Sequence, residues 1–425
     1  MNILIIGQGG REHALGWKLA QSSRVERLYF ASGNSGTAQI GENIDLDFSN
    51  PEQVIRIARD KAIELVIFGK FGFIQQGVSD VFLKEGIKVF GPSRLAGEIE
   101  GSKIFSKRLM KDLGVPCSEF VSFFDYSAAS EYVEQSDFPL VIKTDIPVAG
   151  IGVEIVFDVL SAQKFLKKIF IEKRMGDTGS GVIIEKFLEG IEVSVHAFCD
   201  GTNAVMMPFS QDHKRLFDGD KGVNTFGIGA VAPVPSLSNE LLEDIRQRMV
   251  LPILKALQED GRPFVGVMYP GIMITQDGWR VLEINARFGD PEAQCYMRLL
   301  ESDLLDIKLA CIDGRLNEKE IHWSKDFVCS LVLAVNGYPD ALVTGKPIFG
   351  LLDNQSENDH IIVFHNETAL EDGNVMTVGH RAVTITSKAE TLQKAITSAY
   401  DVAENIQFEG KYFRKDIGAK ALHYV

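Results

Sequence analysis

Apolar runs and helical stretches alternate along residues 3–90, and that alternation constrains the fold more than any other feature of the sequence. Residues 3–6 form a short apolar run. It meets Gly7, Gln8, Gly9 and Gly10, and a helical stretch follows to about Gln21. Strand-like runs at 28–31, 65–68 and 89–90 then alternate with helical patterns at 51–61 and near 78–85. Strand followed by helix, repeated, predicts an open parallel α/β sheet with ligands at the carboxyl ends of its strands. The first domain is set at about residues 1–100. Its glycine turn, lying between a strand and a helix, aims backbone N–H groups at an anion, with Arg11 alongside. The third glycine of a dinucleotide fingerprint is missing, which argues against a dinucleotide-dependent oxidoreductase.

From Gly101 the texture changes, and a helix is expected over 103–113. Residues 139–143 read as a buried strand carrying Lys143 at its end. A buried ammonium needs an anionic partner, and a nucleotide phosphate would supply one. Gly150 and Gly152 lie in a turn between strands that can fold over phosphates. Residues 182–188 and 189–195 read as two strands. An interruption at 184–188 would expose backbone groups able to read an adenine edge, with Glu192 placed to accept from ribose hydroxyls. Ser210, Gln211, Asp212, His213, Lys214 and Arg215 pack four chargeable side chains into a loop ahead of the glycine-rich stretch 218–229. Residues 241–257 read as an amphipathic helix and 303–312 as another. From Phe327 onward a separate small α+β unit is expected, with strands near 330–335, 361–364 and 382–386 and a helix near 389–403.

The most informative string spans 279–292. Residues 264–274 and 279–284 read as a β-hairpin whose second strand ends in Glu283 and Asn285. Two residues apart on a strand, these side chains leave the same face. An acid and an amide oxygen together suit Mg²⁺ that also holds substrate phosphates. Arg287 lies on the same face if the strand persists, and can balance charge on a transferring phosphoryl group. Gly289, Asp290, Pro291 and Glu292 then form a turn with two further carboxylates.

Composition removes several function classes. The net charge is −14, which speaks against a nucleic-acid or anionic-membrane partner while leaving room for a local basic pocket. Five scattered cysteines without a C-x-x-C imply reduced thiols and a cytoplasmic setting. The N-terminus enters a strand directly, without a basic leader, and no apolar run approaches the length of a membrane span.

Together these pieces resemble the ATP-grasp ligases, and within them the phosphoribosylamine–glycine ligase family of purine biosynthesis. The resemblance runs over nearly the whole chain. It rests on Gly7-Gln8-Gly9-Gly10-Arg11-Glu12-His13-Ala14-Leu15, Phe90-Gly91-Pro92-Ser93, Glu100-Gly101-Ser102-Lys103 and residues 210–215. It rests further on Arg287-Phe288-Gly289-Asp290-Pro291-Glu292, Gly337-Tyr338-Pro339 and Phe413-Arg414-Lys415-Asp416-Ile417-Gly418. It implies three parts: a Rossmann-like domain at 1–100, an ATP-grasp domain at 101–326 with a flap at about 120–190, and an α+β domain at 327–425. It implies ATP and Mg²⁺ (or Mn²⁺), and an amide formed through an acyl phosphate from glycine and phosphoribosylamine, in a monomer or homodimer. By that analogy Lys103, Lys143, Gly150 and Gly152 meet the ATP phosphates. Glu185, Leu188 and the Lys186 backbone line adenine, and Glu192 holds the ribose. Glu283 and Asn285 hold the metal, and Arg287 stabilises the transferring phosphoryl. Gly9, Gly10 and Arg11 face the amine substrate's phosphate, and Asp212, Lys214, Arg215 and Asp290 stand near the acyl site.

Three places depart from the family pattern. Lys70-Phe71 stands where the family has a loop carboxylate. Ile151 replaces a phosphate-side lysine, and Phe226 replaces a glycine. The departures raise two further readings: a diverged paralogue joining another amine or acid, and a non-catalytic nucleotide-binding descendant.

Overall fold

The computed structural model describes residues 1–148, 152–174, 181–340, 342–351 and 360–423. Its first sheet is parallel throughout and runs, edge to edge, Glu42–Asn43, Arg27–Ser32, Asn2–Gly7, Ile63–Phe68 and Lys88–Phe90. Leu4 and Ile6 enter one core cluster while Ile3 and Ile5 enter another. The unbroken apolar run therefore reflects a strand covered on both faces. The chain begins mid-sheet, builds outward on one side, then returns to build on the other. That reversal sets the ends of Asn2–Gly7 and Ile63–Phe68 side by side, with Gly69 N–H donating to Ile6 O at 3.0 Å. Such a switch point opens a crevice for ligand.

A second sheet carries an independent core. Phe120–Phe123, Val182–Lys186, Leu140–Thr144 and Val153–Val156 pair antiparallel in that order. The helices Tyr126–Glu134 and Val159–Phe170 cover it through Ala129, Val133, Ala162, Phe165 and Ile169. The expected phosphate turn connects Leu140–Thr144 to Val153–Val156. Of it, Gly150 and Ile151 lie outside the described residues, and Gly152 O accepts from Thr144 N–H at 2.8 Å.

The long strand Val265–Thr275 organises the middle of the chain. One edge pairs with Ile191–Ser194 and then Ala197–Asp200; the other pairs with Gly278–Asn285 as the expected hairpin. Residues 187–190 thus cross between the second sheet and this one. The stretch expected as a single amphipathic helix is Asn239–Ile245, a π-turn at Arg246–Val250, and Leu251–Glu259.

Two expectations change here. The strand Phe327–Ala334 does not begin a self-contained sheet. It pairs with Arg381–Ala389 on one side and with Gly229–Ala232 on the other, and Gln211–Asp212 extends the same sheet. Residues 210–215, read as a loop, are therefore partly a strand, with Ser210, Gln211 and His213 buried. The reason is local: Gly229–Ala232 is small and fully buried, so its ladder partners are drawn inward with it.

Candidate active site

Glu283 and Asn285 leave one face of Gly278–Asn285, opposite Gly271 and Tyr269 respectively. Glu283 keeps about a third of its side chain exposed, 34%. Burial pushes its carboxyl up, but Lys214, Lys103, Lys143 and Arg287 outweigh that and bring its pKa down to about 2. The acid is thus a permanent carboxylate inside a ring of cations. Lys214 Nζ lies 3.9 Å from Glu283 and also pairs with Glu192. Burial alone would lower the Lys214 pKa, yet Glu192, Tyr269, Glu283 and Asp212 raise it well above the ordinary lysine value.

Arg287 is held from three sides. Its Nε lies 3.3 Å from Glu100, its Nη2 donates to Asn285 Oδ1 at 3.2 Å, and its guanidinium stands 6.0 Å from the Tyr269 ring centre. Glu100 also accepts from Ala286 N–H at 2.6 Å. Glu100 is nearly inaccessible, and burial raises its carboxyl above the usual range despite Arg287. The family-like stretch 100–103 contained it, but nothing in the string itself marks an acid destined for a guanidinium 187 positions later.

Glu185 occupies a buried place. Lys143 Nζ approaches it at 3.0 Å and Lys107 Nζ at 3.3 Å, and Ser118 Oγ donates to it. Lys107 also donates to Ser118 Oγ at 2.7 Å and to Val281 O at 3.2 Å, and Lys143 to Leu282 O at 3.2 Å. The Glu185 carboxylate therefore faces lysines rather than a base. Lys186 has an exposed side chain while its N–H donates to Glu119 O at 3.0 Å; Leu188 is half-buried on the 187–190 crossing. Lys103 opens the helix Lys103–Asp112, whose N-cap Ser102 also bonds Asp145 at 2.8 Å. Burial, ahead of the opposing pull of Glu283, lowers the Lys103 pKa.

Around the glycine turn, Gly9 N–H donates to Glu12 Oε2 at 2.6 Å. A side chain at Gly10 would meet Asn366 Oδ1 at 1.9 Å, so the C-terminal domain closes directly on this turn. Arg11 is committed to Glu12 at 2.8 Å and to Phe288 O at 3.0 Å, which takes its guanidinium to the 287–290 loop. Asp290 receives Gln294 Nε2 at 2.8 Å and Arg381 at 2.6 Å. Burial acts to raise its carboxyl, but Arg381 and Arg11 hold it below the ordinary value.

Asp212 faces Lys214 and Glu292. Burial and then Glu292 raise its carboxyl well above the usual range. Glu292 is itself buried, accepting from Tyr269 OH at 2.6 Å and Ser194 Oγ at 2.9 Å. Arg215 goes elsewhere: it bonds Gly222 O at 2.8 Å on its own hairpin and is not brought to Glu283. His213 Nε2 accepts from Gly418 N–H at 3.2 Å, tying the tail to this strand.

The three departures have distinct surroundings. Phe71 packs into the core, and the carboxylate beside that loop comes from Glu12, whose Oε1 would touch a side chain added at Gly69. Phe226 is partly exposed, its ring 5.7 Å from His380 and 6.1 Å from Tyr338, with its N–H donating to Tyr338 OH at 2.8 Å. Ile151 is among the residues left undescribed.

The donor set fits a hard divalent cation with few protein ligands. Glu283 is ionised and open to the cleft, and Asn285 offers an amide oxygen on the same face. Among the described residues no group of three or more His, Cys, Asp or Glu is spaced to hold a metal. Phosphate and water oxygens would complete the shell, as Mg²⁺ prefers.

Comparison with known proteins agrees along the whole chain. Residues 1–100, 101–293 and 328–420 match the N, ATP-grasp (A) and C domains of phosphoribosylglycinamide synthetase. A phosphoribosylamine–glycine ligase of Halalkalibacterium halodurans is 39% identical over 422 residues, covering 99% of this chain and 97% of its own. The crystal structure of a phosphoribosylamine–glycine ligase from Thermotoga maritima matches with a TM-score of 0.86 and 31% identity, covering 98% of this chain and 100% of that one. A biotin carboxylase domain from Hydrogenobacter thermophilus, solved with MgADP and bicarbonate, shares the fold at a TM-score of 0.74 and 15% identity over 100% and 98% of the two chains.

Proposed function

The chain belongs to the phosphoribosylglycinamide synthetase family, an ADP-forming ATP-grasp ligase family, and we propose that its cleft joins glycine to 5-phosphoribosylamine at the expense of ATP. The single observation carrying this reading is Glu283: an ionised acid, open to the cleft and encircled by Lys103, Lys143, Lys214 and Arg287. A cation-ringed carboxylate is what a metal–triphosphate requires, since each charge of the nucleotide meets its opposite.

The chemistry follows in two displacements. A glycine carboxylate oxygen attacks the γ-phosphorus of ATP, ADP leaves, and an acyl phosphate forms. The amine then attacks the acyl carbon, and the C–O bond to phosphate breaks from the tetrahedral adduct. Arg287, braced by Glu100 and Asn285, offers its guanidinium to the transferring phosphoryl. Lys103 and Lys143 offset triphosphate charge, and Lys186, through its carbonyl at the end of Val182–Lys186, and Leu188, on the crossing that follows, present backbone to the base. Glu192 holds a ribose hydroxyl when Lys214 is drawn toward phosphate. Mg²⁺ bound through Glu283 and Asn285 would neutralise charge on the phosphate oxygens. Asp212, a carboxyl with raised proton affinity, accepts the proton the attacking amine sheds. Asp290, fixed by Arg381 and Gln294, aligns the acyl group. With the Gly9 N–H taken by Glu12, the phosphate of the amine substrate is received by the remaining N–H groups at the N-terminus of Gly10–Leu19.

Glu12, the acid beside Gly69, is fully buried and held by Gly9 N–H and Arg11, so it does not replace the carboxylate that Lys70-Phe71 lacks. No helix among the described residues is long and apolar enough to cross a membrane. A cytoplasmic enzyme acting on small molecules as monomer or homodimer completes the proposal. The test is ADP release with ATP, Mg²⁺, glycine and phosphoribosylamine, set against a panel of other acids and amines. Turnover confined to the first pair supports the reading; turnover only with another pair overturns the substrate assignment.

A further inference from the structure

Lys308 lies on the helix Leu304–Ile312 and is fully buried. Its ammonium has no hydrogen-bond partner among the described residues. Instead it stands over two ring faces: 3.8 Å from the centre of Phe90 and 5.2 Å from that of Phe288. Phe90 ends the last strand of the first sheet, and Phe288 sits inside the 287–290 loop. The Phe288 carbonyl takes Arg11 at 3.0 Å and Arg287 at 3.1 Å, so this one residue is a shared anchor for both guanidiniums, beside Glu12 on Arg11 and Glu100 and Asn285 on Arg287. A desolvated ammonium between two π faces is attracted to each of them.

We propose that Lys308 is a positioning residue, whose buried ammonium ties Phe288 to Phe90 and thereby holds Arg287 and Asp290 in register with the first domain. This rests on the ligase reading above. The neighbouring charges do not take over the ammonium. On its own helix Asp306 pairs with Arg24, and Cys311 is the one group there that acts on Lys308. From the surrounding elements Lys88 pairs with Asp313, Glu12 with Arg11, and Asp200 with the 202–203 turn and Leu316 N–H. His13 accepts from His365 N–H, Cys199 is buried, and Tyr269 donates to Glu292. Burial lowers the Lys308 pKa from the ordinary 10.5 to about 7, so the ring-bound cation becomes a neutral amine as pH rises past neutrality.

Three proteins test this: wild type, Lys308→Met and Lys308→Arg. In kcat against pH, the wild type should lose roughly three- to tenfold between about pH 6 and pH 8, the size of a desolvated cation–π contact. Lys308→Met should be flat and low over that range, with the KM for ATP moved less than about twofold, because phosphoryl transfer is affected and nucleotide binding is not. Lys308→Arg, charged throughout, should hold the alkaline limb up. A second readout needs no turnover. The folded state binds fewer protons than the unfolded state between about pH 7 and the ordinary lysine value. The wild-type Tm should therefore gain on that of Lys308→Met across that window. Superimposable pH profiles for wild type and Lys308→Met in a working enzyme would overturn the positioning role alone. A wild type without ligase turnover would overturn the ligase reading, and the positioning role with it, even where the Tm difference still reports the buried amine.

Discussion

Arg381 bonds Asp290 at 2.6 Å, and the two side chains are only 13% and 9% exposed where the C-terminal sheet meets the 287–290 loop. The same guanidinium reaches the carbonyls of Phe226 and Asp290 at 3.2 Å each. One residue of the last domain therefore sets both an acid and a loop of the cleft.

Arg381→Ala should accordingly strand a buried carboxylate. Loss of one partner of a buried pair costs about 3 kcal/mol, read as a lower urea midpoint. Catalysis should fall about tenfold or more, because Asp290 loses its alignment. Stability lost with kcat intact would remove Asp290 from the acyl site and leave the pair a structural clamp.

Lys107 and Lys143 share Glu185, with Lys107 and Glu185 both 2% exposed. In Lys107→Met the acid keeps Lys143 as its paired cation, with Ser118 Oγ as its remaining hydrogen-bond donor. That lysine should be drawn onto Glu185 and away from phosphate, weakening ATP binding, with a stability loss of about 3 kcal/mol. Adding Glu185→Gln should recover part of that stability, because the uncompensated charge goes. ATP affinity by calorimetry, equal in wild type and Lys107→Met, would contradict the sharing.

Glu283 offers a pH test. Its folded pKa of about 2 lies below the ordinary 4.5, so its stabilisation is fully present above 4.5 and fades as pH falls through about 2. Glu283→Gln should thus have a lower Tm than wild type at pH 7, with the gap closing below about pH 4.5. At every pH it should form no ADP. A gap independent of pH would mean the surrounding lysines do not feel this carboxylate.

Gly10 is a packing test. A methyl there would lie 1.9 Å from Asn366 Oδ1 and 2.8 Å from Gln294 Nε2. Gly10→Ala should push the C-terminal domain off the turn and raise the KM for the phosphorylated amine more than that for ATP. Equal changes in both would place the amine's phosphate elsewhere.

Much of the cleft was legible in the sequence because its logic is local. Glu283 and Asn285 share a strand face through a two-residue period, and Lys143 declared itself as a charge at the end of an apolar run; Arg287 lies in the bend beyond the strand, which ends at Asn285. What escaped was set by pairing at long range. Glu100, Lys107 and Arg381 look like ordinary surface charges until Arg287, Glu185 and Asp290 arrive beside them from distant segments. Arg215 failed in the opposite sense: it is adjacent in sequence to Lys214, yet the hairpin Arg215–Phe217 with Lys221–Asn224 turns it toward Gly222. The shared sheet was hidden because Gly229–Ala232 is four small residues, too short for a strand signal of its own.

The claim that this cleft phosphorylates a carboxylate is tested most directly by an oxygen label. Glycine carrying ¹⁸O in both carboxyl oxygens is turned over with ATP, Mg²⁺ and phosphoribosylamine, and the released phosphate is weighed by mass spectrometry. An acyl phosphate passes one carboxyl oxygen to phosphorus, so each phosphate should carry a single ¹⁸O. Unlabelled phosphate accompanying amide formation would contradict the mechanism.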